Sequence, residues 1–246
     1  LTAGLTLYVR KDGSDANRGL SDTAGGAFLT IQKAMTVAFV DYDLGGFGLT
    51  VQVRAGTYAE VVSVNGEQTG AGTISVIGDE ATPSNVKVNG FSMSGCRCTI
   101  SGFQILSSGA HGLVVSDGAT VRQKLNEFSV TTNAHIFLIG GKLSAAGNYK
   151  ITGNAAYHII AQTRGWYDMS GVAVDHSIAR SFSQQFCFLS GQALVHAFGT
   201  TFPNSAGSTG QKFYNSTQSL LYLAGTVFPG NVAGGTDTST GAITLS

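Results

Sequence analysis

The sequence predicts an all-β fold, a parallel β-helix, and three observations carry that expectation. The first is a repeat. His135–Asn154 reads HIFLIGGKLSAAGNYKITGN, two short apolar runs separated by Gly, Ser and Ala. His111–Thr132 (HGLVVSDGATVRQKLNEFSVTT) and His158–Ser177 (HIIAQTRGWYDMSGVAVDHS) read as copies of it, and Phe188–Phe202 and Leu221–Phe228 as looser ones. Aligned on the second run, the copies offer mostly apolar pairs at i and i+2: Phe103/Ile105, Phe128/Val130, Tyr149/Ile151, Val172/Val174, Thr200/Phe202 and Thr226/Phe228, spaced 21 to 28 residues apart. Such a period marks a stacked solenoid, and i/i+2 pairing makes each run a strand. The second observation is compositional: 34 Gly but only 3 Pro in 246 residues. Gly serves corners that need positive φ, and scarce Pro leaves strands free to donate every backbone N–H. The third is one amphipathic helix ahead of all the repeats, placed to close the open end of the first coil. We expect about seven coils over residues 49–231. A strand, loop and capping helix (1–48) precede them, and a tail or cap (232–246) follows. Ile105, Val130, Ile151, Val174 and Phe202 are expected to stack in the core.

Taken in order, Leu5–Arg10 alternates apolar and polar residues and reads as a strand. Lys11–Ala27 is a turn-rich loop. Its DGSDANRG segment (Asp12–Gly19) spaces Asp12, Asp15 and Asn17 in a way that invites Ca²⁺, but it lacks the D-x-D-x-D-G order and the twelfth-position Glu, so Asx-type turns are expected. Thr30 reads as an N-cap, and Ile31, Ala34, Met35, Ala38 and Phe39 then mark one face of a three-turn helix. Leu49–Val53, Val61–Val64, Ile74–Ile77 and Val86–Val88 are short β-branched strands broken by Gly, Asn and Pro.

Charged residues make up 11% and the net charge is zero, with mean hydropathy +0.16. A soluble surface this weakly self-repelling suits a protomer packed against its own copies. The absence of a basic run argues against a nucleic-acid partner, and no apolar stretch approaches the length of a membrane span. Leu1–Arg10 has no signal-peptide pattern and no initiator Met, so a fragment of a longer chain is expected. Cys96 and Cys98 share one face of a strand. With Cys187 they make an odd count and read as small core residues rather than metal ligands or a disulfide.

The opening stretch LYVRKDGSDANRGLSDTAGGAFLTIQKAM (Leu7–Met35), with VRAGTY (Val53–Tyr58) and SVIGD (Ser75–Asp79), resembles the start of pectin-lyase-like right-handed β-helices. LYVRKDGSDANRGL, GGAFLTIQKA and VFPGN (Val227–Asn231) resemble, more narrowly, the β-helical C-terminal regions of tailed-phage and prophage tail-fibre and tailspike proteins. The resemblance implies right-handedness, a homotrimer and a place at the host-facing end of a phage tail. That family holds both receptor binders and polysaccharide depolymerases, so activity does not follow from fold.

For chemistry, Gly95–Gly230 holds only four acids: Asp117, Glu127, Asp168 and Asp175. In the alignment above none occupy equivalent positions one coil apart, as a hydrolytic pair on neighbouring coils would require. Asp168 and Asp175 are the weak catalytic candidates, and a site completed across a subunit interface stays open. Trp166, Tyr167 and Asp168 with Arg164 are the carbohydrate-binding candidates, rings for sugar faces and charged groups for hydroxyls. Strand alternation puts Trp166 and Asp168 on one side and Tyr167 on the other. Trp166 is expected to fill the core or a subunit interface, with an outward, ligand-binding position as the alternative. His111, His135 and His158 open three copies and could form a ladder that binds metal or senses pH, but hydrogen-bonded corner residues are expected. Asp175–His176 has no nucleophile at motif spacing. The expected function is binding of host surface polysaccharide, with a polysaccharide hydrolase or lyase and a purely structural shaft as alternatives. No cofactor or metal is expected.

Overall fold

The computed structural model describes residues 1–107 and 110–246. It is a right-handed parallel β-helix of about eight turns with one α-helix. That is one turn more than the repeat count suggested. Strand Leu5–Val9 already belongs to the solenoid, pairing in parallel with Gly48–Val53 across the helix that separates them in sequence.

Each middle coil contributes a strand to each of three faces. The first face is a ten-stranded sheet in strict chain order from Leu5–Val9 to Ile243–Leu245. A twelve-stranded sheet forks at Val86–Ser94: Lys87 and Val88 pair with Gln104 and Ile105, while Phe91–Ser94 pair with Leu113–Ser116. One branch makes a second face of short strands and the other a third face of long ones. The coil at the centre of the chain runs Lys142–Ala145, Tyr149–Ile151 and Ala155–Gln162 around the three.

Parallel register stacks like on like. On the first face Ile74, Cys98, Val121, Leu143, Tyr167, Val195 and Leu221 form one inward ladder, all buried. Val88, Ile105, Phe128 and Ile151 form another on the second face. The expected core position Val130 is therefore a misalignment. Phe128, not Val130, lies opposite Ile105 and Ile151, and Val130 is 61% exposed. The strand is only Glu127–Phe128, so Val130 falls in the corner beyond it, where alternation no longer sets direction. Val174 is buried but pairs with Tyr149, and Phe202 packs partly buried against the core. Cys96, Cys98 and Cys187 are buried free thiols.

The helix, Ile31–Val40, buries Ile31, Ala34, Met35, Val37, Ala38 and Phe39. It contacts Leu5–Val9, Gly48–Val53 and Gly56–Asn65, and so covers the start of the core. Its N-terminus is saturated with acceptors. Thr30 Oγ1 accepts from the Lys33 N–H at 3.1 Å, and the two Glu60 carboxylate oxygens accept from the N–H groups of Ile31 and Gln32 at 2.9 Å. Asp15 accepts from the N–H groups of Leu29 and Thr30 and from the Thr30 hydroxyl. These carboxylates satisfy otherwise orphaned donors and meet the positive end of the helix dipole. The DGSDANRG loop thus builds turns that end on this cap: Asp12 pairs with Arg10 at 2.8 Å, and the Asn17 amide donates to the carbonyls of Ala24 and Ala27. Asp15→Ala should destabilise the fold by about 1–2 kcal/mol in urea titrations at neutral pH. Unchanged stability with and without added Ca²⁺ would contradict the capping role.

Candidate functional site

The Trp166–Asp168 strand belongs to the first face, between Lys142–Ala145 and Leu194–His196. Tyr167 is opposite Leu143 and Val195 and is fully buried, so it is a core residue and not a ligand-binding one. Trp166 is opposite Lys142 and Leu194 and points outward, half-buried, so of the two expected places, core or subunit interface, the core is ruled out. Val121 and Leu143 are the equivalents of Tyr167, not of Trp166. A slip of one residue exchanges the two sides of a strand. Asp168 shares the outer side, opposite Ser144 and His196, and one carboxylate oxygen accepts from the Ser170 N–H at 3.0 Å. Beyond it the His196 and Tyr222 rings lie 5.7 Å apart. The outer side of this face therefore carries Lys142, Ser144, Trp166, Asp168, Leu194, His196 and Tyr222 together.

Arg164 sits at the corner that leads into this strand. Arg164, Gln192 and Gln218, on successive coils, all have positive φ of 57° to 65°. A left-handed non-glycine residue costs roughly 1 kcal/mol or more. Their side chains are tied in a ladder: Arg164 Nε donates to Gln192 Oε1 at 3.2 Å, and Gln192 Nε2 to Gln218 Oε1 at 3.1 Å. Arg164 thus stands at the rim of the Trp166 surface, exposed but held.

A second surface escaped the sequence reading. The outer row of the third face runs Val114, Phe137, Ile160, Phe188 and Tyr214 on consecutive coils. Phe188 and Tyr214 stack with centroids 6.1 Å apart and planes 7° apart, and His111 stacks on Phe137 at 4.5 Å. The signal was the inward/outward alternation of each long strand, hidden because both sides are apolar there.

The acids also align differently from the sequence expectation. Glu127 is opposite Lys150, and Lys150 is opposite Asp175, so the two acids share one outer row of the second face, two coils apart. They line a groove of about 310 Å³ with Glu80, Pro83, Asn126, Asn148 and Tyr149. Lys150 Nζ is 3.7 Å from Glu127, and Lys124 Nζ is 3.0 Å from Glu80. Desolvation raises the pKa of Asp175, but hydrogen bonds from Asn204 and the Ser177 N–H win and hold it below the ordinary carboxyl value.

The histidines divide by register. His111 is opposite Ala134, which is opposite Tyr157, so the residue below His135 is Gly112 and only His135 and His158 meet. They lie in the core as part of a continuous hydrogen-bonded chain. The Ser129 carbonyl can only accept, so His135 Nε2 donates to it at 2.9 Å and His135 Nδ1 must accept from His158 Nδ1 at 3.1 Å. His158 Nε2 then accepts from the Tyr149 hydroxyl at 2.8 Å, Tyr149 from Tyr167 at 3.3 Å, and Tyr167 from Gln123 Nε2 at 3.4 Å. Gln123 Oε1 accepts from Asn126, whose amide also donates to the Ile100 carbonyl. Every proton in this chain is placed by its two ends, and both rings are neutral. Burial drives the His135 pKa down to about 3, that of His176 down to about 4, and that of His158 well below its ordinary value. His176 Nδ1 is 3.3 Å from Ser208 Oγ, while Asp175 is turned to Ser177 and Asn204, so no Ser–His–Asp relay forms. Among the described residues no group of three or more His, Cys, Asp and Glu is gathered for a metal ion, and no helix is long and apolar enough to cross a membrane.

In comparisons with known proteins, no family model and no curated protein matches the chain.

Tyr167→Ala should cost about 3–5 kcal/mol by opening a core cavity and breaking the buried chain, whereas Trp166→Ala should cost well under half of that. Paired melting curves check the contrast, and equal losses would place Trp166 in the core after all. Acid should weaken the fold before its carboxylates titrate. Below pH 6.5 the unfolded chain takes up protons that buried neutral His135, His158 and His176 refuse, so stability present above that pH is lost progressively toward pH 4. By pH 5 the loss should be roughly 2 kcal/mol per histidine. Urea midpoints from pH 7 to 5 measure it, and a flat profile would mean these rings titrate normally.

Proposed function

We propose that this chain is a surface-polysaccharide-binding β-helix of the tail-fibre and tailspike type, acting on the host-facing tail of a virion. The observation that carries the reading is the outward Trp166, on a rigid parallel sheet between Lys142 and Leu194 and beside Asp168. An aromatic ring offers an apolar plate to the C–H face of a sugar, and flanking charged and hydroxyl groups supply directional hydrogen bonds. Rigid strands hold these groups with little ordering entropy left to lose on binding. The resemblance of the opening stretch to tail fibres agrees with this reading. We also propose a homotrimer. The uncharged outer row Val114–Phe137–Ile160–Phe188–Tyr214 offers a flat apolar strip for subunit packing, and the low charge density leaves little repulsion to oppose it.

A polysaccharide hydrolase is the second reading, favoured by Glu127 and Asp175 sharing a row along a groove. Two rungs of about 4.8 Å approach the separation of an inverting carboxylate pair. However, Lys150 holds the rung between them, where the attacking water would stand, and Asp175 is kept ionised rather than raised into a general acid. Binding without cleavage is the better-supported function.

One set of measurements tests both. Immobilised bacterial capsular polysaccharides and lipopolysaccharides should retain the protein, and Trp166→Ala should weaken retention at least tenfold while lowering the melting temperature far less than Tyr167→Ala does. Sedimentation of the same sample should give the mass of three chains. Equal retention of the variant would overturn the assignment of the site. Release of reducing ends, lost in Asp175→Asn, would replace the binding reading by the hydrolytic one.

A further inference from the structure

The outer side of the first face changes character along the axis. Past Trp166 one row continues as Leu194, Leu220 and Ile243, and its neighbour as His196 and Tyr222. Before Trp166 both rows are cationic and hydroxylic. Arg97, Thr120 and Lys142 lead up to Trp166 in one row, and Thr99, Arg122 and Ser144 lead up to Asp168 in the other. Arg97, Arg122 and Lys142 are exposed and occupy three consecutive coils, alternating between the two rows. None of the three belongs to an ion pair among the described residues. Between the Arg97 and Ser144 rungs these two rows hold no acid. Asp168 enters only beside Trp166, and Glu67 and Asp117 stand at the corner, where Asp117 accepts from the hydroxyls of Ser94 and Ser116.

Unpaired cations gathered on one sheet face are notable in a chain with only 14 basic residues and no net charge. Like charges on neighbouring rungs repel one another, and among the described residues no ion pair compensates them there. A bound polyanion would remove that repulsion and release its own counterions. The arrangement also has a direction. The cations recur once per coil along the axis, about 4.8 Å per rung, so an extended polymer lying along the solenoid meets one on each rung. Thr99, Thr120 and Ser144 hydroxyls lie between them, and Trp166 closes the run as a stacking plate.

We propose that the first face binds an acidic polysaccharide, a linear glycan bearing carboxylate groups, laid along the axis over Arg97, Arg122 and Lys142 and ending on Trp166. The proposal rests on the glycan-binding reading of Trp166 and adds the charge class and the path of the ligand. Three cations among hydroxyls favour a glycan of moderate charge density over a nucleic acid, which places a charge on every backbone unit and selects denser basic surfaces.

The test uses the whole chain with polysialic acid and hyaluronan as acidic probes, dextran as a neutral one and single-stranded DNA as the competing polyanion. At least one acidic glycan should bind, more weakly as salt rises from low to high concentration. The triple variant Arg97→Ala, Arg122→Ala, Lys142→Ala should weaken it tenfold or more. All three side chains are exposed, and an unchanged melting temperature shows the variant folded. Acidic glycan bound equally by the variant, or not at all, overturns the proposal. If dextran binds in a Trp166-dependent way while the charge variant behaves as wild type, the charge class is wrong and the glycan-binding site stands. If no glycan binds, both fall. Single-stranded DNA bound more tightly than either acidic glycan, with the same loss in the variant, would reassign the face to nucleic acid.

Discussion

Parallel backbone hydrogen bonding, one strand spacing of about 4.8 Å per coil, is the constraint on which this molecule depends. It leaves no freedom in what each side chain stacks on. Tyr167 must lie between Leu143 and Val195, and Phe128 between Ile105 and Ile151. In such a core a polar side chain cannot turn to water, so it is best satisfied by other polar atoms of its own or a nearby coil. The chain from Ser129 through His135, His158, Tyr149, Tyr167, Gln123 and Asn126 to the Ile100 carbonyl is the outcome. A buried hydroxyl or ring nitrogen left alone costs about twice what a satisfied hydrogen bond contributes, so a continuous chain is more stable than the same groups isolated.

The same constraint sets the difficult places at the corners and the ends. Corners force left-handed backbone on Arg164, Gln192 and Gln218, and the side-chain ladder among these three offsets part of that strain. At the start, the helix closes the core because its own N-terminus is closed by Asp15, Thr30 and Glu60. The last coil ends differently. Thr244 lies opposite Leu221 and hydrogen-bonds to Thr236 at 2.7 Å, so the inward ladder passes from leucine to paired hydroxyls.

A scaffold built this way presents its surface as rows rather than as pockets, and function follows from row composition. The first face offers cations, hydroxyls and then Trp166. The third offers an uncharged aromatic strip, and the second a row of alternating charge that largely neutralises itself through Lys150 and Glu127. Rows separated by a corner face different directions, so the proposed glycan and the proposed subunit contact use separate faces.

The sequence by itself determined the architecture. Period, i/i+2 pairing, abundant Gly, scarce Pro and the Thr30 helix signal each arise from local backbone preference, and local preference is written residue by residue. It also determined that Trp166 and Asp168 share a side opposite to Tyr167. Which side faces in was decided only by the tertiary structure. Strand alternation is symmetric under a shift of one residue, so Trp166 and Tyr167 exchange roles unless the register with Lys142 and Leu143 is known. The placement of Val130, the pairing of Glu127 with Lys150 and Asp175, and the exclusion of His111 from the buried pair have the same origin. Corner lengths vary from coil to coil, and a shift of one or two residues leaves periodicity nearly unchanged while moving a side chain between core, corner and surface. Only the hydrogen bonds between neighbouring coils fix that shift, because they alone tie residues more than twenty positions apart in sequence to the same rung.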